Sequence, residues 1–589
     1  MSREPPTNRE VADRLQLIGD LLELEGAVRH RVLAYRRAAA RIRSTTGSVA
    51  EMALAGRATD LPDIGATLQA KIVELTETGD IAALAKLRER IPPGLAAVAR
   101  LDGIGPKRAA ALFSGLGVTG VDDLAEALEA GRLRAVPGFG PGTEERVAAQ
   151  LARRAEEGTD EEEERVPVGR ALPLAEEVVA GLLAAVPGVR VELAGSLRRG
   201  REDAHDIDLV AAWERPSEVQ DALAALPAVQ RVISRGEASM SVATHSGVRV
   251  ELAVGPPASF GNLLQHATGS AAHNVRLREL AVRGGLSVSQ HGIAGPGGEV
   301  AVHRDEEGVY AALGLHPIPP ELREDRGEIE AAQAGPLPAL VTRADLRGDL
   351  HAHTRWSDGT ETIAAMVEAA RARGYAYLAI SDHSQSLAMA GGLDPDRVRR
   401  QWEEIEEEDA RHDDIRVLRA TEVDILADGR IDFDDDLLAG FDWVTASMHS
   451  GFSQSAERLT ARAVAAAQSP FVDVIGHPTG RMLGRRAQAP IDLARLIEAA
   501  LLGGTFLEVN AQPRRLDLDA AMAAAALAAG VRLTIGSDAH SGDSLDLIRF
   551  GVRVARRAGA TPAAVANTWS WEDLAAGRAA RLRTAGAAQ

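Results

Sequence analysis

The sequence contains no cysteine, which excludes disulfide bonds and thiolate metal sites, so any bound metal must be held by histidines and carboxylates. It also lacks an uncharged apolar run of eighteen or more residues, and its opening residues MSREPPTNREVADRL show no signal-peptide pattern. We therefore expect a cytoplasmic protein that does not enter a membrane. Lysine is nearly absent, since it occurs only at positions 71, 86 and 107 among 66 basic residues. A lysine kept in so arginine-rich a chain is a candidate for a role that arginine cannot fill.

The chain of 589 residues is too long for a single hydrophobic core, and its length predicts about three to five domains. Its 45% hydrophobic and 26% charged residues are typical of globular proteins. The net charge of −19 argues against uniform adhesion to nucleic acid but does not exclude local basic patches. The acidic run EEGTDEEEER at 156–165 predicts a solvated linker.

A short glycine motif occurs three times, each time directly before a helical pattern. The copies are LPDIGATLQAKI, LDGIGPKRAAALF and VPGFGPGTEERVAAQL, and in the first copy Asp63 replaces the first glycine. The glycine pair permits a tight turn whose N–H groups, with the positive end of the next helix, can face a DNA phosphate. A plain connection between helices is the alternative reading of each copy. The residues predicted to contact DNA are Gly65, Gly103, Gly105, Lys107, Gly138 and Gly140.

The stretch GDLHAHTRWSDG at 348–359 places two histidines two residues apart on a predicted strand. Because a strand alternates its faces, His351 and His353 would converge on one point, as a divalent metal requires. Taken alone, the pair could also be two surface histidines. Further along the chain, apolar runs end repeatedly on residues that can bind metal.

From Arg347 onward, short β-branched runs alternate about seven times with alanine-rich helical patterns, which predicts a parallel sheet closed into a barrel. In such barrels the carboxyl ends of the strands meet at one mouth. The candidate metal ligands at those ends are His351, His353, Asp358, His383, Glu422, His449, His477, Asp538 and His540.

A second candidate site lies in RVELAGSLRRGREDAHDIDLV at 190–210. Asp206 and Asp208 would share one face of a strand and could bind Mg²⁺. Upstream, Gly195, Ser196 and Arg199 offer backbone N–H, hydroxyl and guanidinium groups for a triphosphate. An isolated Asp-x-Asp pair is often only a surface feature, but its coupling to GSLRRG makes the prediction specific.

The C-terminal segment resembles a PHP domain, a metal-dependent phosphoesterase fold with a distorted seven-stranded barrel. The resemblance implies that the nine candidates hold up to three Mn²⁺ or Zn²⁺ ions, with Glu422 bridging two of them. The ligand set does not distinguish between these metals. Clustered ions suit in-line hydrolysis of a phosphodiester.

The middle of the chain resembles the palm of a family X DNA polymerase, the group of DNA polymerase beta. By this resemblance Asp206, Asp208 and Glu251 are the catalytic carboxylates, which would hold Mg²⁺ or Mn²⁺. The segment HATGSAAHNVRLRELA at 266–281 resembles the nucleotide-binding turn and helix of the family. The resemblance assigns substrate-binding positions to Gly269, Ser270, Asn274 and Arg278. Lys71 falls at the position of the lysine that forms a Schiff base with a deoxyribose phosphate, although a contact to phosphate is an alternative role.

Together these resemblances imply a multidomain α/β protein with the series of domains found in bacterial family X polymerases that carry a C-terminal PHP domain. Helix-hairpin-helix elements would lead into a nucleotidyltransferase palm with a mixed sheet and then into the (β/α)7 barrel. The expected boundaries are a 5′-phosphate-binding, lyase-like domain at 1–90, a fingers-like domain at 91–158, a palm at 166–260, a thumb-like subdomain at 261–330, a linker at 331–346 and the PHP domain at 347–589.

The sequence departs from the family pattern in three ways. Glu251 stands where the third palm carboxylate is normally Asp, and its extra methylene moves the oxygens by roughly 1 Å, which can cost on the order of 10²-fold in rate. His266 and Ala267 replace an aromatic pair, and His205 replaces a glycine. All nine PHP ligands are intact, so the departures concern only the polymerase site.

The principal hypothesis is a DNA repair enzyme, acting in base excision repair, that fills gaps with its polymerase site and degrades DNA from 3′ ends with its PHP site. Its expected partners are gapped or nicked DNA and dNTPs, its expected location is with the bacterial nucleoid, and its oligomeric state is open, with a monomer expected. One rival is a PHP nuclease whose polymerase module mainly binds DNA. A small-molecule phosphatase is disfavoured by the three hairpins, and a non-enzymatic scaffold by the nine ligands.

Overall fold

The computed structural model describes residues 5–101, 103–156 and 165–587, and most of the acidic run at 156–165 lies outside them. The chain forms two compact units. The described residues of the first unit fall within Met1–Val166, Pro173–Glu192 and His205–Pro256, and those of the second within Pro167–Leu172, Leu193–Ala204 and Pro257–Gln589.

The N-terminal region is helical, as predicted from its apolar spacing. Helix α1 begins with a capping box between Thr7 and Glu10, and Leu15 and Ile18 on its apolar face are buried. The helices of this region are α1 Asn8–Leu24, α2 Arg29–Ser44, α3 Val49–Leu54, α4 Ala66–Thr78, α5 Ala82–Arg88, α6 Leu95–Ala99, α7 Gly105–Leu116, α8 Val121–Glu129 and α9 Pro141–Glu156.

The three glycine motifs form closely similar turns. In each, the buried apolar residue between the two glycine positions donates its backbone N–H to the carbonyl three residues earlier: Ile64 to Leu61, Ile104 to Leu101 and Phe139 to Val136. The position before it has a positive φ in every copy, +67° at Asp63, +88° at Gly103 and +91° at Gly138. The first copy therefore keeps the turn although aspartate occupies the glycine position, since Asp tolerates this region better than most residues.

The central region contains a mixed five-stranded sheet in the order β2-β4-β7-β6-β5. Strand β4 pairs in parallel with β7, while β6 runs antiparallel to both of its neighbours. The elements of this region are β1 Val166–Pro167, α10 Val168–Ala185, β2 Arg190–Leu193, α11 Gly195–Arg198, β3 Asp203–Ala204, β4 Asp206–Ala212, α12 Pro216–Ala224, β5 Val229–Arg235, β6 Ser239–Thr244 and β7 Arg249–Gly255.

A helical segment with a small antiparallel sheet follows, with the strand order β10-β9-β8. Leu277, Tyr310 and Ile329 contribute to its buried core. The elements are α13 Phe260–Thr268, α14 Ala271–Arg283, β8 Ser287–Ser289, β9 Gly292–Ala294, β10 Val300–Ala301, α15 Glu306–Ala312 and α16 Glu328–Ala334.

The C-terminal region is a parallel seven-stranded sheet in the order β11 to β17, as the sevenfold alternation predicted. The sheet curls until its edges meet, because the Asp538 N–H donates to the His351 carbonyl and the His353 N–H to the Ala539 carbonyl. The elements are β11 Gly348–Ala352, α17 Ile363–Ala372, β12 Tyr377–Ile380, α18 Pro395–Asp409, β13 Arg416–Asp424, α19 Asp435–Gly440, β14 Trp443–Ser447, α20 Ala456–Ala467, β15 Val474–Ile475, α21 Leu493–Gly503, β16 Phe506–Asn510, α22 Ala520–Ala528, β17 Leu533–Gly536, α23 Ile548–Arg557 and α24 Trp571–Ala587.

Within the described residues, no helix combines the length and the apolar character needed to cross a bilayer.

The positive φ at Gly138 predicts a clear difference between two neighbouring glycines. Gly138→Ala should lower the free energy of unfolding by about 1 to 2 kcal/mol, because an L side chain is strained in the left-handed region. Gly140→Ala is the matched control, since Gly140 has no positive φ and an added Cβ would meet nothing within 4 Å. Calorimetric unfolding of the full chain measures both variants, and equal destabilisation would contradict the prediction.

Candidate metal centre and polymerase-like site

The nine predicted metal ligands lie at the carboxyl ends of the barrel strands. His351 is on β11 and Glu422 is on β13, and the other seven are in the segments directly after β11, β12, β14, β15 and β17. The structure therefore brings all nine to one end of the barrel, as the sequence predicted. His353 is fully buried, and Glu422 is only 1% exposed.

Glu422 is the centre of this cluster. Its Oε2 lies 3.4 Å from Nε2 of His351, 3.6 Å from Nε2 of His353 and 3.0 Å from Nδ1 of His383. Its Oε1 lies 3.3 Å from Nε2 of His449 and 2.7 Å from Nε2 of His477. The two carboxylate oxygens thus face two different groups of imidazoles, which is the arrangement that a bridging carboxylate needs.

Asp358 and Asp538 complete the cluster on the side of His353. Nε2 of His353 is 3.3 Å from Oδ1 of Asp538, and Nε2 of His540 is 3.3 Å from Oδ2 of Asp358. Asp358 Oδ1 also lies 3.5 Å from Nε2 of His383.

The donor atoms of the cluster fit divalent cations. Both ring nitrogens of His353, Nε2 of His351 and Nδ1 of His383 are buried without a hydrogen-bond partner. A buried polar atom without a partner is costly, and a coordinated cation would satisfy these nitrogens. Three groups of ligand atoms lie close enough together to hold an ion each: His353, His383 and His540; His351, His353 and Asp538; and His383, Glu422 and His449.

The electrostatics keep several ligands in the form that binds metal. Burial would raise the pKa of Glu422, but the charges of His449 and His351 hold it well below its usual range, so the carboxylate is ionised. Burial, reinforced by His383, lowers the pKa of His353, which favours the neutral imidazole. At His351 burial opposes protonation, but Glu508 and Glu422 raise the pKa well above its usual value. A proton and a cation therefore compete for His351.

Two further carboxylates, Glu508 and Asp424, orient candidate ligands, and neither was predicted from the sequence. Glu508 Oε1 lies 2.6 Å from Nδ1 of His351, and its Oε2 accepts the His477 N–H at 2.7 Å. Asp424 Oδ1 lies 2.9 Å from Nδ1 of His449. Such outer partners fix the tautomer and the ring orientation of a ligating histidine. The signal for Glu508 was a carboxylate inside the largely apolar strand FLEVN, and the signal for Asp424 was its place two residues after Glu422 at the end of β13.

The palm carboxylates Asp206, Asp208 and Glu251 also come together, with one oxygen of each lying within 4.8 Å of the others. The parallel register of β4 and β7 explains this, because it sets Asp208 opposite Glu251 and Asp206 opposite Arg249. This group is more open than the barrel cluster, since the Glu251 side chain is 46% exposed. Nη1 of Arg249 lies 3.8 Å from Oε1 of Glu251.

The predicted nucleotide-binding residues lie on two segments of the second unit. Gly195 and Ser196 form the start of α11, and the Arg199 guanidinium donates from Nη1 to the Thr268 carbonyl at 2.6 Å. Gly269 adjoins the same guanidinium, since a Cβ there would lie 3.3 Å from Nη1 of Arg199. The structure thus brings Arg199 to the turn before α14.

Helix α14 carries Asn274 and Arg278, and Ser270 directly precedes it as its N-cap residue. The Ser270 hydroxyl caps it by accepting the His273 N–H. The Asn274 amide donates to the His266 carbonyl and accepts from Gln265, while Arg278 is exposed.

At the altered aromatic position, Nδ1 of His266 lies 3.4 Å from Nη2 of Arg278, and burial together with Arg278 lowers the pKa of His266. His205 is exposed between β3 and β4.

The hairpin positions lie on the surface. Gly65, Gly103, Lys107, Gly138 and Gly140 are exposed, and Gly105 is partly exposed. Gly65 and Gly140 also accept N–H groups from the first turn of the following helix. Lys71 is partly exposed on α4, about one and a half turns after Gly65.

The contact between Glu508 and His351 predicts a role in metal affinity. Glu508→Gln should weaken Mn²⁺ binding by about 10- to 100-fold, because the neutral amide cannot make His351 more basic as the carboxylate does. Titration calorimetry with Mn²⁺ measures the change. Asp396→Asn is the control, because this aspartate is 91% exposed on α18 and should leave the affinity unchanged. Unchanged affinity in Glu508→Gln would show that Glu508 does not support the ligands.

Comparison with protein families gives matches along the chain. They are described as Helix-hairpin-helix domain at residues 6–81, SAM-like Helix-hairpin-helix tandem at 96–153, DNA polymerase beta thumb at 263–324 and PHP domain at 349–512.

Curated relatives fall into two kinds. A protein of Caldanaerobacter subterraneus named probable phosphatase is 31% identical over 221 residues, which are 34% of this chain and 78% of that protein. The Bacillus subtilis protein named DNA polymerase/3′-5′ exonuclease PolX is 36% identical over 571 residues, which are 96% of this chain and 98% of the relative. Because that similarity spans nearly the whole of both proteins, this chain belongs to the bacterial family X DNA polymerases, the polymerase beta-like group, that carry a C-terminal PHP domain.

Proposed function

We propose that the protein is a DNA repair enzyme that combines template-directed gap filling with metal-dependent 3′→5′ exonuclease activity. The observation that supports the nuclease activity is that nine candidate ligand side chains, the buried Glu422 among them, meet at one end of the barrel. The full-length similarity to a protein named for both activities supports the combination. DNA is the proposed substrate of both sites. A DNA substrate supports the proposal that the protein is located with the bacterial nucleoid.

In the barrel, the proposed reaction is hydrolysis of the phosphodiester at a DNA 3′ end. Bound divalent cations, Mn²⁺ or Zn²⁺, would activate water and neutralise phosphate charge. The chain holds the ligand atoms in fixed positions, since Glu508 and Asp424 orient His351 and His449. Because the ligands are mostly buried, the cluster is preorganised before DNA arrives.

In the palm, the proposed roles follow the family resemblance. Asp206, Asp208 and Glu251 would hold Mg²⁺ or Mn²⁺, which would align a primer 3′ hydroxyl with a dNTP α-phosphate. Gly195, Ser196, Arg199, Gly269 and Ser270 would bind the triphosphate, and Asn274 and Arg278 would contact the base pair. The hairpin residues Gly65, Gly103, Gly105, Lys107, Gly138 and Gly140 would grip DNA phosphates.

A weak polymerase remains the second candidate, with the palm acting mainly as a DNA-binding platform. The exposure of Glu251 and its pairing with Arg249 favour this candidate, since both disfavour tight metal binding at that carboxylate. The small-molecule phosphatase alternative draws support from the phosphatase relatives, but these cover only about a third of the chain.

Two variants should separate the two activities. His353→Ala should abolish Mn²⁺-dependent 3′→5′ degradation and leave gap filling within about twofold, because it removes a ligand shared by two of the groups in the barrel. Asp208→Ala should do the reverse and lower incorporation by at least about 10³-fold. Both reactions are measured on one gapped duplex. Degradation by His353→Ala at the wild-type rate would refute the nuclease assignment, and wild-type incorporation by Asp208→Ala would refute the palm assignment.

Lys71 is proposed as a Schiff-base nucleophile, because only a deprotonated amine, not a guanidinium, forms an imine with a ring-opened sugar. Borohydride should trap a covalent adduct with incised abasic DNA in EDTA, where metal-dependent hydrolysis is silent. Lys71→Ala should lose at least about 90% of this adduct. Lys86→Ala is the control on the following helix, and equal trapping by wild type and Lys71→Ala would remove Lys71 from the mechanism.

A further inference from the structure

One helix of the barrel, α23, makes direct contact with the turn that carries the proposed triphosphate site, and both belong to the second unit. The apolar face of α23, with Ile548, Phe550 and Val554, is buried. On its other face Arg553 donates to the Leu197 carbonyl, and Nη1 of Arg557 donates to the Arg199 carbonyl at 2.8 Å.

The approach of α23 to this turn is close. Gly200, which follows Arg199, has a φ of +75°, and a Cβ there would lie 3.3 Å from Cγ and Cδ of Arg557. The aliphatic part of Arg557 therefore packs on the turn, while its guanidinium binds the turn's backbone.

The side chains of Arg557 and Arg199 are linked by one carboxylate, that of Glu324, which contacts both. Oε1 of Glu324 lies 2.9 Å from Nη1 of Arg557 and 3.2 Å from Nε of Arg199. All three side chains are only 10 to 14% exposed, so solvent screens their charges weakly. The Thr268 carbonyl accepts from Nη1 of Arg199, which leaves the guanidinium held on two edges.

The charges explain why the carboxylate matters. Burial lowers the pKa of Arg199, and Arg201 and Arg557 lower it further, whereas Glu324 raises it. Without Glu324, Arg199 and Arg557 would repel each other across the same space. The carboxylate converts this repulsion into a fixed arrangement of cation, anion and cation.

We infer that Arg557 is a positioning residue for the polymerase reaction: through Glu324 and the Arg199 carbonyl, it orients the Arg199 guanidinium for the triphosphate of the incoming dNTP. This inference rests on the proposed role of Arg199 in binding the triphosphate. It makes a helix of the nuclease barrel a structural part of the nucleotide site.

The test is single-nucleotide gap filling by the full chain at varied dNTP concentration. Arg557→Ala and Glu324→Gln should each raise the KM for dNTP about five- to tenfold and change kcat less than about twofold, because both act on binding of the triphosphate. The double variant should raise KM no more than the larger single change, since both residues act through Arg199. Arg557→Lys should restore KM in part, because an ammonium can contact Glu324 but cannot reproduce the guanidinium fork.

Two controls separate positioning from a loss of structure. The 3′→5′ exonuclease rate of every variant reports whether the barrel is intact and should stay at the wild-type value. Arg556→Ala is the matched variant on the same helix, because Arg556 pairs with Glu321 at 2.7 Å instead of Glu324, and it should leave KM unchanged. An equal rise in KM with Arg556→Ala would overturn the inference.

Arg199→Ala separates this inference from the proposed function. A wild-type KM in Arg199→Ala would refute the proposed role of Arg199 itself. A raised KM in Arg199→Ala together with a wild-type KM in Arg557→Ala and Glu324→Gln would refute only the positioning role. If Arg557→Ala loses exonuclease activity through misfolding, Glu324→Gln alone decides, because Glu324 lies outside the barrel strands and helices.

Discussion

The buried carboxylate of Glu422 is the constraint on which the C-terminal region depends. A single negative charge inside a barrel is costly unless positive charge surrounds it. Five imidazoles from four strand ends lie within 3.6 Å of its two oxygens. The strands therefore have to end at one level and in the correct order, and the closure of β17 on β11 brings Asp538 to His353. Glu508 and Asp424 then fix the orientation of the His351 and His449 rings through hydrogen bonds to Nδ1.

The two proposed active sites differ in how deeply their charged side chains are buried. The barrel buries its ligands and holds them with outer hydrogen bonds, so its geometry is set before substrate binds. In the palm the Glu251 side chain is open to solvent, and Arg249 partly neutralises it. The longer side chain of Glu251 adds freedom that a family aspartate lacks. This contrast is consistent with a robust nuclease and with a polymerase whose efficiency depends more on its surroundings.

The repeated hairpins show that the same backbone geometry can be kept when the glycine at one position is replaced by another residue. Asp63 adopts the left-handed conformation that Gly103 and Gly138 adopt, and the apolar residue that follows is buried in all three copies. Burial of Ile64 supports the turn although aspartate is less suited than glycine to its backbone. The sequence motif alone made this copy look weaker than its geometry shows.

The sequence by itself determined the alternation of strands and helices in the barrel and the identity of the metal-ligand candidates, because strand periodicity and strand-end position are local properties. The mixed sheet of the palm was expected from the family resemblance. It did not reveal Glu508 or Asp424, since a strand carboxylate gains a role only when another strand brings a histidine opposite it. It also gave no sign of the contact between Arg557, Glu324 and Arg199. These residues are more than 100 positions apart in the chain, and only packing of α23 on the palm turn brings their charges together.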